Sequence, residues 1–197
     1  MDQRELKQVL DALARQRRYI ISVDELHDVF GESRAQLRVG LHRQTVAGAI
    51  TRLFPGIYAN PQAVVKRLIS RGDVVPYLRQ AAELYVSLES ALHVHRPASA
   101  AKPRALTVMT TGRSLLCDLE GLGAVEFVHT KRIPDRWADQ LAESKHEGLA
   151  LASYQLAIDD MLRTGRPLDT CDYRRRRHHI GVTVLHAPMP WAGRKEA

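Results

Sequence analysis

The strongest constraint on the fold lies in residues 22–46, where two helix-start signatures follow each other closely. Ser22 with Glu25, and Ser33 with Gln36, each make a capping box, in which the serine accepts from a backbone amide one turn on and the later side chain reaches back. Between them Gly31 is the residue type that ends a helix in the left-handed conformation. Two starts so near each other predict a short helix, a tight turn and a further helix from about Arg34 to Val46, stopped by Gly48. Ahead of them "DQRELKQVLDALAR", residues 2–15, sets Leu6, Val9, Leu10 and Leu13 at helical spacing. Behind them "GAITRLFPGIYANP", residues 48–61, reads as a hairpin, with Pro55-Gly56 at the centre of its turn. Helix, short helix, tight turn, helix and hairpin is the order of a winged helix-turn-helix, whose third helix enters the major groove.

The third helix supplies candidate contacts. At roughly 100° per residue, Ala35, Val39, His42 and Val46 fall on one side and Leu37 and Leu41 on another. Gln36, Gly40, Arg43 and Gln44 fill the remaining arc, expected to be the face toward DNA, with Arg34 and Arg38 flanking it. Arg and Gln can make bidentate contacts with guanine and adenine edges. The predicted DNA-binding residues are Ser33, Arg34, Gln36, Arg38, Arg43 and Gln44 on or at the start of this helix. Arg52 on the wing joins them, with Arg17 and Arg18 as backbone contacts before the second helix. The competing reading is a solvated basic face.

Charge supports an acidic partner. The 197 residues carry a formal net charge of +7. Residues 1–80 hold 13 Lys+Arg against 8 Asp+Glu, whereas the remaining 117 hold 16 against 14. In that second part Arg174, Arg175, Arg176 and Arg177 form one run, followed by His178 and His179. It is a secondary basic patch for phosphate or, alternatively, a protected strand edge. The charged N-terminus lacks a signal-peptide core, no apolar run is long enough to span a membrane, and Cys117 and Cys171 stand far apart; a cytoplasmic protein is expected.

A joint is predicted at Gly72 to Pro76. After it, a helix is expected over about Tyr77 to His93, strands at "LTVMT", "SLLCDLEGLG" and "AVEFVHT", and a helix through "LALASYQLAIDDMLRTGRP" with Ala150 on its core side. The predicted fold class is α+β, a winged helix-turn-helix over residues 1–75 followed by a mixed α/β domain over 76–197. No catalytic constellation stands out. His93 and His95, Cys171 with His178 and His179, and Asp159 with Asp160 each lack the partners a metal site needs, and "TTGRS" has too little glycine to cradle phosphate. No enzyme activity, cofactor or metal is expected.

The stretches "AGAITRLFPGIYANP", "LYVSLESAL", "RALTVMTTGRS", "EFVHTKR" and "ASYQLAIDDMLRTGRP", taken in order, resemble the AbiEi-type antitoxins of bacterial abortive-infection (AbiE, type IV) toxin-antitoxin operons. The resemblance runs from about Leu6 to Pro167. It implies a transcriptional autorepressor whose winged helix binds inverted repeats of double-stranded DNA in its own promoter, as a homodimer or as cooperatively bound monomers. It implies as partner a nucleotidyltransferase-like toxin, functionally paired without need of a stable complex, and a C-terminal antitoxin domain. The alternatives are a winged-helix module that binds a toxin directly, and a solitary regulator.

Overall fold

Side-chain caps decide where the N-terminal helices begin. In the computed structural model, which describes residues 1–80, 82–97 and 102–168, α1 spans Gln3–Arg15 and starts on a capping box of Asp2 and Glu5. A short strand, β1 (Ile20–Ser22), leads into α2 (Val23–Phe30), capped by Ser22 with Glu25 and ended by Gly31 at φ 64°. The Ser33–Gln36 box then opens α3 (Arg34–Val46). The hairpin follows as β2 (Thr51–Phe54) and β3 (Ile57–Ala59), and Gly56 at φ 81° occupies the turn position that needs a positive φ.

β1 was not anticipated, because three residues give no readable alternation. It pairs antiparallel with β3, making a three-stranded sheet in the order β1-β3-β2. The two faces of this sheet serve different cores. Ile21 and Tyr58, paired in register, pack with Leu6, Leu26, Leu37 and Leu41, whereas Ile20, Leu53, Ile57 and Ala59 belong to the core of the second half. The period of two along each strand delivers successive side chains to opposite sides.

The residues expected to be a joint are helical. After α4 (Pro61–Val65), α5 runs over Arg71–Leu78 with Pro76 inside it, and so crosses residue 75. The long helix expected over Tyr77 to His93 is also absent. The chain instead forms β4 (Leu84–Val86) and α6 (Leu88–His95). Then come β5 (Ala105–Thr110), β6 (Leu115–Leu119), β7 (Gly123–His129), β8 (Leu141–His146), β9 (Leu149–Ala152) and α7 (Tyr154–Arg163). Ala150 therefore lies on a strand, and the last helix starts later than expected, at its cap Ser153. Both misreadings concern short apolar runs whose state is set by a distant partner: β4 pairs with β9 through Val86 and Leu151.

These strands form one six-stranded mixed sheet, ordered β6-β7-β5-β4-β9-β8. β5 is buried from Leu106 to Thr110, so both of its faces are covered. Helices α6 and α7 pack on each other, α6 lies against β5, and α5 lies against β7. The two sheets meet where the Glu120 amide, just past β6, donates to the Leu53 carbonyl of β2 at 3.1 Å. The run Arg174 to Arg177 lies outside the described residues.

Candidate nucleic-acid interface

The orientation of α3 follows from its largest apolar side chains. Leu37 and Leu41 are fully buried, and Gly40 beside them is buried too; a Cβ there would lie 3.3 Å from the Met1 Cε. With that side inward, the outward centre of the helix is Ala35, Val39, His42 and Val46. This corrects the expected DNA face: Gly40 points inward, Gln44 is half-buried, and Gln36 serves the helix start. Its Oε1 accepts from the Ser33 amide at 3.0 Å and from the Ser33 hydroxyl at 2.7 Å.

The predicted cations divide into distinct groups. Arg38 of α3 and Arg52 of β2 line one cleft of about 420 Å³ with Val39, His42, Thr45 and Tyr58. Among the described residues no carboxylate lines it. Arg43 and Gln44 lie on the other flank, in a surface hollow shared with Asp2 and Glu5. Arg34 pairs with Asp24 of α2 at 2.7 Å, and Arg18 pairs with Glu25. The Glu25 hydrogen bond, followed by that to Tyr77, raises the Arg18 pKa further above its ordinary value. Arg17, in a left-handed conformation just past α1, is exposed. Among the described residues Arg38, Arg43 and Arg52 enter no ion pair. Only Arg38 and Arg52 also share a cleft free of acidic groups.

Sequence reasoning did not single out Val39, His42 and Thr45, which line this cleft, or Val46, exposed on the same side of α3. The helix carries apolar residues on two sides, so periodicity alone leaves its rotation undecided. The usable signal was size, since two leucines one turn apart bury more than two valines.

The second half offers a buried polar cluster. Of the adjacent aspartates Asp159 and Asp160, Asp160 is fully buried. Its carboxylate accepts from Tyr85 Oη at 2.9 Å, Ser87 Oγ at 2.8 Å and Arg132 Nη1 at 3.3 Å. Burial pushes its pKa up, against the opposing pull of Ser87, Tyr85 and Arg132. These contacts tie α7 to β4 and occupy the carboxylate's lone pairs, the arrangement of a structural lock. His95, at the end of α6, hydrogen-bonds the Ala152 carbonyl at 2.8 Å. Among the described residues no group of three or more His, Cys, Asp or Glu is placed to hold a metal ion, and no helix is long and apolar enough to cross a membrane.

Residues 8–61 match the family described as transcriptional regulator, AbiEi antitoxin. No curated protein and no solved structure matches the chain. The matched stretch begins within α1 and ends at the first residue of α4, so it holds α2, α3, the complete three-stranded sheet and the Arg38–Arg52 cleft. Over these residues, about a quarter of the chain, the protein is similar to the AbiEi-antitoxin transcriptional regulators.

Proposed function

We propose that residues 1–75 are a winged helix-turn-helix that lays α3 in the major groove and sets the β2–β3 hairpin against neighbouring phosphates. In this reading the protein represses its own operon. The observation that carries it is the placement of Arg38 and Arg52, neither ion-paired among the described residues, in one cleft beside the outward face of α3. A cation not neutralised within the protein can displace the counterions of DNA. The family match over the same elements supports regulation. It extends the proposal to an antitoxin paired with a nucleotidyltransferase-like toxin, with residues 76–197 as the antitoxin-like domain. One such module covers a half-site, so an inverted repeat takes two copies, as a homodimer or as cooperatively bound monomers.

Mobility shifts on the DNA upstream of the open reading frame test the repressor. Retention of that fragment over unrelated DNA of equal length, weakening with salt, is expected; retention that ignores sequence overturns the reading. Co-expression with the adjacent open reading frame tests the antitoxin, and failure to restore growth counts against it. The exposed Val39 and Val46 favour a second reading, a platform that grips a protein toxin directly. A stable complex with that toxin, together with no specific DNA retention, selects it.

A further inference from the structure

The outward centre of α3 holds three apolar residues, Ala35, Val39 and Val46, beside the exposed His42, and is flanked by arginines. Val39 is 58% and Val46 77% exposed, with Ala35 on the same strip, while Leu37 and Leu41 on the opposite side fill the core. The two valines belong to neither core, so they stand available for contact with a partner. Its border toward the hairpin names the partner's charge, Arg38 with Arg52; on the other side Arg43 shares its hollows with Asp2, Glu5 and Glu32. The strip thus suits an apolar group set within a polyanion, and the major groove of DNA offers one such group, the thymine C5-methyl.

We infer that Val39, with Ala35 one turn before it, reads thymine methyls, so that each half-site carries thymines where these side chains touch the groove. The inference rests on the DNA-binding reading above. Ala35 and Val39 are separated by about 6 Å of helix rise, which spans about two base steps of B-DNA. The arginines then hold phosphates or purine edges on either side, and the apolar strip discriminates by fit to the methyl.

The test uses the full chain and the fragment upstream of its open reading frame, amplified with either dTTP or dUTP. Uracil lacks the methyl and keeps the pairing and charge. Binding to the uracil fragment is expected to be about fourfold weaker per contacted methyl. In V39A, whose side chain lies at the surface, this thymine preference shrinks while the salt dependence stays as in the unaltered chain. Equal retention of both fragments over unrelated DNA overturns the methyl reading and leaves DNA recognition standing. A V39A chain that keeps the full preference overturns it as well. Failure to retain either fragment over unrelated DNA overturns both readings.

Discussion

Glu147, at the tip of the β8–β9 hairpin, accepts a hydrogen bond from the Gly72 amide at 3.0 Å. The same carboxylate takes the Arg71 guanidinium through Nε at 3.2 Å and Nη2 at 2.5 Å. A hairpin of the second half thereby caps the helix that leads out of the first. Gly72 is required there, since a Cβ would lie 2.0 Å from the Glu147 carbonyl oxygen. Gly72→Ala is expected to lower stability by on the order of 2 kcal/mol, as overpacking does. Glu147→Ala, which leaves the Arg71 and Gly72 donors unmatched, has a similar expected cost of about 2 kcal/mol. Urea unfolding of both variants and of the double variant checks this, with less-than-additive losses expected because one contact is shared.

The half-buried Glu147 and the buried Asp160 act oppositely on pH dependence. For Glu147 burial pushes upward, but the Arg71 guanidinium and the Gly72 amide outweigh it and hold the pKa below its ordinary 4.5. Its stabilisation is present above that value and disappears as pH falls through the lowered one. For Asp160 burial wins, and the pKa stands above its ordinary 3.8. Its contribution is present below 3.8 and declines as pH rises through the raised value. Urea midpoints measured across the acid range are expected to show a shallower acid loss in Glu147→Gln. In Asp160→Asn the decline toward neutral pH is expected to flatten.

Among the arginines, loss of DNA binding should follow pairing state. Arg38→Ala and Arg52→Ala are each expected to reduce the dependence of log affinity on log salt by about one. Arg34→Ala and Arg18→Ala should do less, because their charges are already partnered by Asp24 and Glu25. Mobility shifts at several salt concentrations give the ranking; an Arg34 effect as large as that of Arg38 would contradict it.

A chain cut after residue 75 loses one of its two cores. Ile20, Leu53, Ile57 and Ala59, each at most 5% exposed in the full chain, face that core. The fragment is expected to melt well below the full chain and to bind a hydrophobic dye, as fluorescence and circular dichroism would show.

The N-terminal order of elements was readable because its signals are local. Ser22 with Glu25, Ser33 with Gln36, Gly31 and Pro55-Gly56 each act within a few residues of themselves. Leu84–Val86 and Leu149–Ala152 were misread as helix for the opposite reason: they become strands by pairing with each other across the length of the second half. The candidate interface fell between these cases. Arg38 and Arg52 were identifiable by residue type, but their meeting in one cleft, and the engagement of Arg34, Arg18 and Gln36 elsewhere, depend on tertiary packing. The inward turn of Gly40 is of the same kind, since it follows from the burial of Leu37 and Leu41 beside it.

The small sheet, with a different core on each face, also bears on how such regulators diverge. A substitution in β1, β2 or β3 must suit the neighbours of its own face without disturbing the alternate positions that serve the other. A hairpin transplanted from another protein would meet foreign partners on both sides at once. The β2–β3 hairpin is thus the segment least open to exchange, whereas the outward residues of α3, which face neither core, are free to change.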